Sequence, residues 1–176
     1  MFGQNIKLCL EYYDSALKHF EEGKYYRDAY VVSLNIIQTN LARQSYSDAV
    51  PYLDRLGQLG KTVEGKDVVI GEALYMRYYQ FRVIATLGLK GEKAAEPYVR
   101  EANAYYLKNK ESISQEGWFG YKIMCSQILG NISNAVAYMD SLINYQRAIG
   151  NYYPGNYRQK AIMLEPVSYT HLRAHE

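Results

Sequence analysis

The sequence predicts an all-α chain, an array of antiparallel helix pairs, and three observations lead there. An eight-residue stretch recurs: Ala49-Val50-Pro51-Tyr52-Leu53-Asp54-Arg55-Leu56 returns as Ala135-Val136-Ala137-Tyr138-Met139-Asp140-Ser141-Leu142. Weaker copies begin at Cys9 and Ala95, so the starts at 9, 49, 95 and 135 are 40, 46 and 40 residues apart. A fixed period of this size marks a repeat array. Apolar residues elsewhere recur at three- and four-residue steps, one face of a 3.6-residue period. No run of alternating apolar and polar residues of the kind a half-buried strand needs is present.

Ile6, Cys9, Tyr13, Ala16, Leu17 and Phe20 form one stripe, predicting a helix over Ile6 to Glu22 that Gly23-Lys24 closes. Asp28 to Leu41 is the next, with Val31, Leu34, Ile37 and Leu41 on a stripe widened by Ala29, Val32 and Ile36, as in a helix flanked on two sides. Ser45 with Asp48 three residues on resembles a capping box, and Ser47 is a rival cap. A third helix is expected from Ser47 to about Leu59, with Pro51 in its first turn, where the missing N–H costs little. Gly57, Gly60 and Gly65 punctuate the stretch from Gly57 to Asp67, which carries the extra residues of the longer period and reads as a loop. The next helix is expected to start between Val68 and Gly71 and run to Leu87, with a turn at Leu89-Lys90-Gly91. Glu92 to Leu107 and Gln115 to Leu129 are helical patterns separated by a polar stretch. Ser133 is the expected cap of a helix over Asn134 to Ala148, and Tyr157 to Leu164 begins one more.

The chain has 176 residues, enough for one domain with a sizeable core. It is 48% hydrophobic and 22% charged, which suits a soluble globular protein. Twenty of the residues are tyrosines, which can bury a ring and keep the hydroxyl wet. A net charge of +2 argues against a nucleic-acid or anionic-membrane partner. No run is apolar enough to span a bilayer, so no membrane insertion is expected.

The last ten residues, Val167 to Glu176, have the sequence Val-Ser-Tyr-Thr-His-Leu-Arg-Ala-His-Glu. This decapeptide resembles a translated transposon-type sequencing adapter, so residues 167–176 are expected to be a non-native tail after a repeat domain over 1–166. On that reading the natural chain is interrupted near Glu165, and His19 is the one native histidine.

The helix pattern resembles the tetratricopeptide (TPR) family. Second helices of that family carry a small residue, a bulky one four positions on, and a small or aliphatic one three further. Here these are Cys9, Tyr13 and Ala16; Ala49, Leu53 and Leu56; Ala95, Val99 and Ala102; and Ala135, Met139 and Leu142. Gly130 lies five residues before Ala135, as in the family's turn, and Tyr46 and Ile132 stand three before their Ala. The chain departs from the family where first helices carry a Leu-Gly pair; Ile36-Ile37, Arg82-Val83 and Lys122-Ile123 occupy those positions. Its period of 40 to 46 also exceeds the usual length of about 34. The resemblance covers roughly Ile6 to Glu165 and implies a right-handed solenoid of about three full helix pairs, preceded by a half repeat and followed by a truncated one.

Chemical motifs are sparse. Gly60-Lys61-Thr62 is similar to the end of a phosphate-binding loop, but Arg55 stands where the motif needs its first Gly. Ser15 and His19 share a helical face beside Asp14, without the orienting group and oxyanion hole of a triad. Cys9 and Cys125 lack metal-ligand spacing, and neither a metal nor a cofactor is expected. The tyrosine pairs, Tyr78-Tyr79 and Tyr105-Tyr106 among them, could stack on bases, but base-binding proteins add a basic groove. Packing between repeats is the better reading.

The expected function is therefore a non-catalytic protein- or peptide-binding scaffold. The TPR resemblance implies that first helices line the concave side and supply ligand contacts. These are Leu34 and Gln38 from the first pair, Arg77, Gln80 and Ile84 from the second, and Met124 and Gln127 from the third. An Arg among apolar and amide groups suits an extended peptide or an acidic terminus. The roughly 40-residue repeats and the run Tyr138 to Leu142 also look like TPR-type sensory regions of bacterial signalling proteins, in which an output domain follows. The compartment would then be periplasmic, or cytoplasmic if Met1 is the true start. The alternative is a helical-repeat enzyme or small-molecule receptor with its site in the concave groove.

Overall fold

The structure is a computed structural model that describes residues 2–63 and 70–173, with side chains for 6–61, 63 and 70–165. Among the described residues there are eight α-helices and no strand. They are α1 (Phe2–Glu22), α2 (Tyr26–Ala42), α3 (Tyr46–Val63), α4 (Glu72–Lys90), α5 (Glu92–Asn109), α6 (Gln115–Ile128), α7 (Ile132–Ala148) and α8 (Pro154–Arg173). None of the described helices is long and apolar enough to cross a membrane.

Four of these helices end alike. Lys24, Gln44, Gly130 and Gly150 take positive φ, between 58° and 72°. In each case the next N–H donates five residues back: Tyr25 to Phe20, Ser45 to Asn40, Asn131 to Ser126 and Asn151 to Gln146, at 2.8–2.9 Å. This bond satisfies a carbonyl that the helix end would leave orphaned, and it reverses the chain within a few residues. Lys24, rather than Gly23, holds the left-handed position after α1.

The chain divides into two compact units, Met1–Ser112 and Ile113–Glu176. In the first, α1 to α5 pack in sequence order, and α4 also meets α2. That extra contact explains why α2 and α4 are buried round much of their circumference. Leu34, Ile36 and Ile37 on α2 and Met76, Val83 and Ile84 on α4 are almost wholly inaccessible. Helices α3 and α5 bury chiefly one face, and on it Ala49 and Ala95 are fully buried. A methyl group there lets two backbones approach where a longer side chain would hold them apart. Near the end of α4, Gly88 makes the same kind of room: a Cβ on it would stand 2.4 Å from the Tyr46 ring. In the second unit α6 packs on α7 and α7 on α8, around Ile123, Ala135, Met139, Leu142, Ile143 and Met163.

Three local expectations are corrected. The stretch from Gly57 reads as a loop in the sequence, yet α3 continues through Gly57 and Gly60 to Val63, and the remainder of the expected loop, 64–69, lies outside the described residues. The glycines there make space rather than end the helix. A Cβ on Gly57 would lie 2.9 Å from the Tyr78 hydroxyl, and one on Gly60 would lie 3.6 Å from the Tyr75 ring. The cap of α7 is Asn131, not Ser133: its Oδ1 accepts the Asn134 N–H at 3.1 Å. Positive φ at Gly130 places the helix start two residues earlier than Ser133 would. Helix α8 begins at Pro154 and its backbone stays helical through Arg173, beyond the expected limit at Leu164.

Candidate functional site

On the α2–α4 face, two of the expected contact residues meet. Arg77 Nη2 on α4 donates to Gln38 Oε1 on α2 at 2.7 Å. The guanidinium also lies over the Phe81 ring, 5.4 Å from its centroid. Burial pushes the Arg77 pKa down from 12.5, although a guanidinium in a protein stays charged. Arg77 forms no salt bridge among the described residues. It is thus a half-buried cation held by an amide oxygen and an aromatic ring, with the fork of its remaining donors available for a carboxylate.

The other expected residues fall elsewhere. Leu34 and Ile84 are 0% and 2% exposed, so they pack the interior and offer no contact surface. Gln80 is buried too, and it has a partner of its own. Met124 and Gln127 are exposed on α6, in the second unit. His19 and Ser15 are exposed, and Asp14 beside them accepts the Tyr52 hydroxyl at 2.7 Å. Gly60, Lys61 and Thr62 are helical, which removes the loop that a phosphate cradle requires. Cys9 and Cys125 are free thiols, and burial pushes Cys125 up to about 12, away from thiolate chemistry. Among the described residues no three His, Cys, Asp or Glu side chains converge on a metal-sized site.

The first unit also contains a cavity of about 660 Å³ between α3 and α5, floored by α4 and by Tyr30 of α2. The Tyr75, Tyr78, Tyr79 and Tyr105 rings line it, with Asp54, Lys61, Arg82 and Glu101 as its charged groups. The rings form a chain of contacts: Tyr30–Tyr75 at 5.6 Å, Tyr75–Tyr105 at 6.4 Å, Tyr105–Tyr79 at 4.7 Å and Tyr79–Tyr78 at 5.4 Å between centroids. Burial raises the hydroxyl pKa of Tyr30, Tyr78, Tyr79 and Tyr105, and it pushes Tyr105 up to about 12. They are neutral hydroxyls at any ordinary pH, able both to donate and to accept.

The chain matches no protein-family model, no curated protein and no solved structure.

The cavity is not on the face that bears Arg77. Tyr79 follows Arg77 by two residues, about 200° round α4. Sequence reasoning missed the cavity because its walls come from four helices and no local motif spans them. One signal was present: Gly57 and Gly60, three apart inside a helical pattern, face Tyr78 and Tyr75. Paired helical glycines cost about 1 kcal/mol each against Ala and so call for a tertiary reason.

Proposed function

We propose that the chain is a non-catalytic peptide-binding scaffold of TPR type, its helix pairs forming a right-handed solenoid. The observation that carries this reading is the half-buried Arg77, oriented by Gln38 and Phe81 and left without a carboxylate among the described residues. A peptide's acidic side chain or C-terminal carboxylate would complete that arrangement through two parallel N–H···O bonds. The direct contact of α2 with α4 supports a stack of successive pairs, each of which needs a neighbour to bury its apolar face. On the resemblance of its repeats, the scaffold would serve as the sensory or interaction part of a bacterial signalling protein.

A displayed library of random peptides with free C-termini tests the proposal. The wild-type chain should enrich peptides that share an acidic residue or an acidic terminus, and Arg77→Met should lose that enrichment while remaining folded. Enrichment that is the same with Arg77→Met, or that has no acidic preference, would sink the reading.

A further inference from the structure

We infer that the tyrosine-lined cavity between α3 and α5 binds an organic ammonium ion, at a site separate from the Arg77 face. Three features converge there. The first is space: about 660 Å³, within the range of small-ligand sites. Part of that room exists because α3 carries Gly57 and Gly60 where it faces the tyrosines of α4. The second is the wall. Tyr75, Tyr79 and Tyr105 are only half-buried, so their rings present surface to the cavity. Aromatic rings attract a cation placed within about 6 Å of their centroids, and a quaternary or primary ammonium is the ligand such walls favour.

The third feature is charge. Asp54 reaches the cavity from α3 and Glu101 from α5, and neither forms a salt bridge among the described residues. Both lie near enough to Tyr78 to reinforce the upward push that burial gives its hydroxyl, against the opposing pull of Arg82. Arg82 also lines the cavity but pairs with neither carboxylate: its Nη1 donates to the Tyr78 hydroxyl at 2.8 Å, and its guanidinium lies 4.4 Å from the Tyr98 ring centroid. Lys61 is seven residues beyond Asp54, about 10 Å further along α3. The region round Tyr78 and Tyr79 therefore has two carboxylates that no cation pairs with directly among the described residues, beside an aromatic wall. An ammonium ligand supplies the direct partner that they lack. An anionic ligand would meet both carboxylates, and an apolar one would strip water from them without return.

The test titrates the full chain with choline and with its neutral carbon isostere, 3,3-dimethylbutan-1-ol, by calorimetry, and follows the rings by NMR in protein labelled at tyrosine. Choline should bind at least about tenfold more tightly than the isostere, with shifts in the Tyr75, Tyr79 and Tyr105 rings. The double variant Asp54→Asn/Glu101→Gln, exposed positions whose change should leave the fold intact, should weaken choline by about tenfold or more. Arg77→Met should leave choline binding unchanged, which keeps this site distinct from the peptide reading. No choline binding up to about 10 mM, equal binding of the isostere, or an unchanged affinity in a folded double variant would each overturn the assignment.

Discussion

The Arg77 guanidinium on α4 donates to the Gln38 amide oxygen on α2 across 2.7 Å, tying these two helices together. The pair lies on a partly solvated surface, so its contribution to stability is modest. A double-mutant cycle with Gln38→Leu and Arg77→Met should give a coupling of about 0.5–1 kcal/mol in urea unfolding. A coupling indistinguishable from zero would mean that Gln38 does not hold the guanidinium in solution.

The two glycines of α3 should respond in opposite ways to the same substitution. Gly60→Ala meets only ordinary contact with Tyr75 at 3.6 Å, so the gain in helix propensity should stabilise the chain by up to about 1 kcal/mol. Gly57→Ala places a methyl 2.9 Å from the Tyr78 hydroxyl, which is tied to Arg82. The ring must move and that bond must stretch, cancelling the propensity gain or reversing it. Urea midpoints of the two variants, side by side, check the contrast; equal stabilisation by both would show that Tyr78 yields freely.

These glycines also show where the sequence stops being readable. Helix positions were legible because apolar residues recur at three- and four-residue steps, and Ala49, Ala95 and Ala135, singled out by the recurring stretch, are all fully buried. The end of α3 was not legible: Gly57 and Gly60 look like punctuation until Tyr78 and Tyr75, about twenty residues on, are placed against them. The same limit applies to the sites. Gln38 and Arg77 were each expected at the surface from helix register, but their contact was not legible, and Leu34 and Ile84 share that register yet are covered by neighbouring helices. The cavity depends wholly on which helices meet, and no spacing along the chain encodes that.

Ala135 sits with no exposure among Ile123, Met139, Leu142 and Ile143 in the second unit. Ala135→Leu should therefore overpack the α6–α7 contact and cost about 1–3 kcal/mol. Ala137, two residues on and exposed, is the internal control: Ala137→Leu should change stability by no more than about 0.5 kcal/mol. An unchanged urea midpoint for Ala135→Leu would count against close packing of the repeat's small residue.

Stability should fall steeply in alkali, and the tyrosines set the window. Burial raises Tyr105 and Tyr52 to about 12 from the usual 10.0, and it also raises Tyr30, Tyr78, Tyr79 and Tyr121. For Tyr52 the hydrogen bond to Asp14 adds to the burial. A phenol whose folded pKa lies above its unfolded value keeps its proton in the native state after the unfolded chain has lost it. The unfolded state then binds fewer protons, so stability declines as pH rises. The contribution is complete below about pH 10 and drains away as the pH climbs through about 12. The urea midpoint should hold steady between about pH 8 and pH 9 and drop markedly by about pH 11, with Tyr52→Phe and Tyr105→Phe each flattening the drop. A midpoint that stays level to pH 11 would mean that these hydroxyls are not shielded from solvent in the folded chain.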